Sequence, residues 1–126
     1  MIFEENTKAI YLQIADRIAD DIMHGVYDDD ARIPSVREYA ASVEVNANTV
    51  MRSYERLAQR GLIFNRRGIG FFVSPDAKMK IMAERGEELM ANRLPPLFNL
   101  MHCLGITPRQ LKDAYEEYIN QKDRQI

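Results

Sequence analysis

Two helix-start signals stand close together in the middle of the chain, and they constrain the fold more than any other feature. Ser35-Val36-Arg37-Glu38 is a capping box, in which the serine hydroxyl and the glutamate carboxylate each satisfy an orphan backbone N–H. Asn46 is a second cap, set shortly after it. The spacing leaves room for one short helix through about Val43, with Val36, Tyr39, Ala40 and Val43 on a shared face. A second helix then runs to about Arg60 and is closed by Gly61, with Val50, Tyr54 and Leu57 turned inward. Helices joined by so few residues form a helix-turn-helix corner.

The flanking segments complete a small domain. Ile10, Ile14, Ile18 and Ile22 recur with helical period beside Ala15, Ala19 and Met23, and Asp16, Asp20 and Asp21 take the other face. Gly25 is a stop, Asp28-Asp29-Asp30 a polar turn, and Pro34 ends the connection. Leu62-Ile63-Phe64 and Phe71-Phe72-Val73 are β-prone runs around the basic tip Asn65–Gly70, which reads as a hairpin. Helix, helix, helix and hairpin is the order of a winged helix-turn-helix. Ser74-Pro75 is expected to open a further helix, with Pro75 in its first turn and Met79, Met82, Leu89 and Met90 as its apolar residues. Pro95-Pro96 must break or kink it. Leu97, Leu100, Met101 and Leu104 mark the next helix, up to Gly105. A second capping box, Thr107–Gln110, opens the last one, with Leu111, Ala114, Tyr115, Tyr118 and Ile119 on one face. The expected fold is mainly α with a small β-hairpin (α+β), divided into a winged domain over 1–75 and an all-helical dimerisation tail over 76–126.

Charge position matters more than charge total. The 126 residues hold 17 Lys+Arg against 19 Asp+Glu, a net −2 that argues faintly against a nucleic-acid partner. Divided along the chain, residues 1–30 carry −6, residues 31–75 carry +4, and residues 76–126 are neutral. Every cation of the middle block is arginine. Because screening keeps fields local, such a block attracts phosphate even within an acidic chain. The single cysteine, Cys103, excludes an internal disulfide framework and fits a reducing compartment. The first ten residues, MIFEENTKAI, lack the pattern of a signal peptide, and no run is long enough for a membrane span. A cytoplasmic location is expected.

The candidate DNA-binding residues fall on that middle block. Recognition helices present their N-terminal residues to base edges. Asn46, Asn48 and Thr49 form a short, polar, uncharged opening turn, with Arg52 and Arg56 on later turns. Asn suits adenine, Thr offers a hydroxyl or a methyl, and Arg suits guanine or phosphate. Arg37 stands where it can clamp a phosphate or reach a base edge. Arg66, Arg67, Gly68 and Gly70 form a tip able to reach the flanking minor groove or its phosphates. Each also has a plainer use: Asn46 as a cap, Arg37 as a partner of Glu38 or Glu44, the tip as a solvated hairpin. Their convergence on one surface favours DNA.

Residues 10–73 resemble the GntR family of bacterial transcription regulators. The likeness is carried by Arg32–Glu38, Val45–Tyr54, Gly61-Leu62-Ile63 and Arg66–Val73, with Ile10–Ile14 also fitting. The short helical tail resembles the YtrA-type subfamily. The resemblance implies a homodimer, dimerised through its tail, on a two-fold-symmetric operator, most readily as a repressor. It assigns Arg37 as a DNA contact, Asn46, Asn48 and Thr49 as the recognition turn, and Gly68 and Gly70 as the wing glycines. Asp29-Asp30 replaces the family's usual Pro-Gly, Ala47 a common proline or arginine, and Met51 an arginine of some relatives. Readout is therefore expected to lean on Asn48, Thr49 and Arg52.

The tail methionines Met79, Met82, Met90 and Met101 read as adaptable interface packing, or alternatively as a groove for a small-molecule effector. His102-Cys103 and the distant His24 lack zinc-ligand spacing, so no metal or cofactor is expected. No nucleophile has an oriented base, so no catalytic residue and no enzyme activity are expected. The rival to a DNA regulator is a winged helix used for protein–protein assembly, with the acidic first helix as its docking face.

Overall fold

The computed structural model describes residues 8–124; the N-terminal reading of residues 1–7 lies outside them. The described residues are mainly helical with one two-stranded hairpin, and the chain forms two compact units, 1–84 and 85–126.

In the first unit, α1 (Ile10–Met23) buries Ile14, Ala15, Ile18, Ala19 and Ile22, as the four-residue period requires. Ile10, expected on the same face, is exposed because it lies at the helix start. Gly25 closes α1 with φ +80°, while the Val26 N–H reaches back to the Asp21 carbonyl at 2.8 Å. α2 (Val36–Val43) carries the complete capping box, with the Glu38 N–H 3.1 Å from the Ser35 hydroxyl. It ends at Glu44, which takes a left-handed φ of +56°. α3 (Ala47–Gln59) starts at Asn46, whose side-chain oxygen accepts from the Asn48 N–H at 2.8 Å. Val50, Tyr54 and Leu57 are buried, and so is Ser53, whose hydroxyl donates to the Tyr11 carbonyl of α1 at 2.6 Å.

β1 (Ile63–Arg66) pairs antiparallel with β2 (Gly70–Val73), with Phe64 opposite Phe72 and Arg66 opposite Gly70. The connection after the aspartates does more than turn. Asp30 and Ile33 donate to the Val73 and Phe71 carbonyls, and Val73 donates to that of Ala31, so the segment lies along β2 with Arg32 bridged to Phe72. No local periodicity signals so short a pairing, which depends on a partner far along the chain.

α4 (Ala77–Glu88) begins later than expected. Ser74 is held by its N–H on the carbonyl of Leu62, the residue before β1, and Pro75 lies in the turn before the helix, not in its first turn. Its buried residues are Ala77 and Ile81, whereas Met79 and Met82 are 69% and 53% exposed. The expected boundary after residue 75 thus precedes two side chains that complete the first core; the units divide after Glu84.

In the second unit, a wide π-helical turn (Leu89–Arg93) leads into α5 (Leu94–Cys103), with Pro95 and Pro96 in its first turn. Proline lacks the N–H for an interior α-helical bond, and the π turn is where the regular ladder gives way. Gly105 ends α5 with φ +73°. α6 (Pro108–Arg124) opens on the Thr107–Gln110 capping box, seen in both directions. No side chain from Arg85 to Arg124 is buried. No helix among the described residues is long and apolar enough to cross a membrane.

Candidate nucleic-acid interface

Tyr54, on the inner face of α3, ties the reading elements together. Its hydroxyl donates to the Pro34 carbonyl at 2.6 Å, which holds the start of α2 against α3. Its ring meets the edge of Phe71 at 5.1 Å between centroids, which fixes the hairpin, and that of Tyr39 at 6.3 Å. Burial pushes the Tyr54 phenol well above the ordinary tyrosine range, so it remains a neutral donor.

On this frame the opening turn of α3 is presented outward. Asn48 and Ala47 are exposed and Thr49 half-buried, while Asn46 spends its side-chain oxygen on the cap and keeps its amide N–H groups free to point outward. Arg52 lies over the Tyr11 ring with its guanidinium 4.0 Å from the centroid, which orients it without neutralising it. Arg56 is exposed one turn further on. Arg37 is exposed in the first turn of α2. Glu38 directs its carboxylate to the Ser35 N–H at 3.3 Å, and no ion pair joins Arg37 to Glu38 or Glu44 among the described residues. Arg60, by contrast, is paired with Glu84 of α4.

The wing tip is a turn in which the Ile69 N–H returns to the Arg66 carbonyl at 2.9 Å. Gly68 takes φ +80° at the third position, which type II turns reserve for glycine. Gly70 has φ +140°, a backbone that favours glycine, and a Cβ there would stand 3.0 Å from the Arg32 Nε, so that side chain would have to shift slightly. Arg66 lies over Phe72 at 4.7 Å and over Phe64 at 5.6 Å; Arg67 is exposed at the tip. Arg32 was absent from the sequence-based candidates. It belongs to the basic block, but only its pairing with β2 brings it to the wing.

Fold and site together define a DNA-binding transcription regulator of the winged helix-turn-helix class. Residues 10–73 match the model of the bacterial regulatory proteins of the gntR family, and the chain belongs to that family. It is 32% identical over 114 residues to the HTH-type transcriptional regulator YhcF of Bacillus subtilis, covering 90% of this chain and 93% of that one. To the B. subtilis transcriptional repressor YtrA it is 30% identical over 108 residues, covering 86% and 82%, which makes it YtrA-like within the family. A structure described as a GntR-family transcriptional regulator from Bacteroides thetaiotaomicron superposes with a TM-score of 0.73 at 50% identity, over 90% of this chain and 99% of that one. The AraR DNA-binding domain, solved in complex with operator ORR3, superposes with a TM-score of 0.53 at 26% identity, over 59% and 89%.

Proposed function

We propose that this protein is a cytoplasmic repressor that binds a two-fold-symmetric operator as a homodimer. The carrying observation is the exposed, uncharged opening turn of α3, flanked by arginines that no carboxylate among the described residues neutralises. Asn46, Asn48 and Thr49 read base edges, with Arg52 oriented by Tyr11. Arg37, Arg56, Arg66 and Arg67 contact phosphates, and Gly68 and Gly70 shape the wing that carries the last two. The repressor YtrA, similar over most of both chains, supports the sign of regulation.

The tail supports a dimer for a physical reason. Leu97, Phe98, Leu100, Leu104, Tyr115 and Tyr118 are all exposed in the single chain, and Leu97, Phe98 and Tyr115 line one apolar hollow; exposed apolar surface of this kind marks an interaction site. A second reading has its own observation: Leu89, Leu94, Leu97, Phe98, Leu111 and Tyr115 line an apolar hollow of about 490 Å³, the size of a small effector. Selection of bound duplexes from random DNA, followed by titration of the winner across a salt series, tests the first reading. Recovered sequences with two-fold symmetry and log K falling linearly with log[salt] are expected. A flat salt response would instead support the protein–protein use of the wing. Thermal shift against a metabolite panel tests the hollow, since a ligand at about 100 times its Kd stabilises by about 2.7 kcal/mol.

A further inference from the structure

One face of the wing has a composition that the fold does not explain. Phe71 turns inward to Tyr54, so Phe72 points to the opposite face, where it stacks with Phe64 at 6.0 Å between centroids. Residues directly opposite in an antiparallel pair share a face. The same face therefore carries Arg66 beside Phe64, Gly70 opposite Arg66, and Arg32 bridged to Phe72. The Arg66 guanidinium lies on the Phe72 ring. That of Arg32 runs over Gly70, with Nε, Nη2 and Cζ at 3.0, 3.5 and 3.7 Å from where a Cβ would stand. Two guanidinium groups thus lie on one face of the hairpin, that of Arg66 on the ring of Phe72 and that of Arg32 over Gly70, which has no side chain.

Among the described residues neither Arg32 nor Arg66 has an ion pair or a hydrogen-bonding side-chain partner. Glu38, which shares a shallow hollow with Arg32, is engaged with the Ser35 N–H. An anion seated on this face would meet two positive charges at once. A phosphate fits best, because guanidinium forks match its oxygens in a bidentate manner and the Phe72 ring already restricts the rotamers of Arg66.

We propose that Arg32 and Arg66 form a clamp for one backbone phosphate of the bound duplex, on the outer face of the wing. The assignment rests on the DNA-binding reading and adds to it a register-setting contact made from outside the recognition helix and the wing tip. It carries no base readout.

The test is fluorescence anisotropy across a salt series on two probes, a mixed-sequence duplex and a duplex recovered by selection, with wild type, R32A, R32K and R32A/R66A. The expected result is that R32A weakens both duplexes by the same factor and R32K, which keeps the charge but not the fork, restores part of the loss. The double variant should flatten the plot of log K against log[salt] by about 0.9 per subunit, the contribution of one phosphate. Restoration by R32K separates a charge contact from lost folding. A change of about 1.8 would mean two independent phosphates and overturn the shared clamp. If wild type binds both duplexes and R32A matches it, the clamp is wrong while DNA binding stands. A loss confined to the selected duplex would mean base readout and overturn the phosphate assignment. Wild type bound to neither duplex at low salt would remove both readings. Inorganic phosphate is tested in parallel by thermal shift. An Arg32-dependent stabilisation by phosphate, with DNA binding unchanged in R32A, would assign the site to a free phosphate and overturn the DNA clamp.

Discussion

At the scale of single residues, Tyr54 and Arg37 show how differently buried and exposed polar groups act. Tyr54→Phe keeps the ring packing on Tyr39 and Phe71 but leaves the Pro34 carbonyl without its donor. The expected cost is about 1–2 kcal/mol of stability in chemical denaturation. Burial raises the phenol of Tyr54, and those of Tyr39 and Tyr27, above the usual tyrosine range. A group whose folded pKa is raised contributes its full stability below its unfolded value, about 10, and loses it as pH rises through the folded one. Stability should therefore be level up to about pH 10 and fall beyond it. A denaturation series in alkaline buffers checks this, and Tyr54→Phe should soften the fall. Arg37 behaves otherwise. Exposed and without an ion-pair partner among the described residues, it gives the fold little, so Arg37→Ala should leave thermal stability unchanged. Operator affinity in a gel-shift titration should fall by about 1–3 kcal/mol.

At the scale of elements, helix ends set the geometry of the reading head. The corner between α2 and α3 is only Glu44, Val45 and Asn46, and Glu44 holds φ +56° where glycine is the easier residue. Glu44→Gly should raise the unfolding free energy by about 0.5–1 kcal/mol, measured in urea, without altering the corner. Ser35→Ala removes one half of the capping box and should cost about 1 kcal/mol. Both caps of the helix-turn-helix were legible in the sequence because a cap is local: donor and acceptor lie within three residues of one another. The pairing of Asp30–Ile33 with β2 was not legible, since its partners are Phe71, Phe72 and Val73, brought near only by the folded core. Arg32 escaped notice as a wing residue for the same reason. The start of α4 was misplaced because Ser74 is claimed by the Leu62 carbonyl, a tertiary bond that overrides the preference of proline for a first helical turn.

For the whole molecule, the two units differ in what they bury. The first closes its own core, down to Ala77 and Ile81, and Ile81→Ala should cost about 2–5 kcal/mol in denaturant unfolding. Among the described residues the second buries no side chain within the single chain. A charge on its apolar surface should therefore disturb association more than chain folding. Leu100→Glu is expected to shift sedimentation velocity from dimer toward monomer and to weaken binding to a two-half-site duplex, while leaving helix content unchanged. Dimers surviving at unchanged concentration would place the interface elsewhere.

The sequence by itself determined the helical phases, the caps, the hairpin, the arginine block and the family likeness, because periodicity, capping and turn chemistry act over a few residues. Only tertiary structure decided which of those arginines are paired, stacked or free. Arg60 meets Glu84, Arg52 lies on Tyr11, and Arg32 and Arg66 share the outer face of the wing. Charge belongs to a residue, whereas its neutralisation depends on what the fold brings within a few ångströms of it.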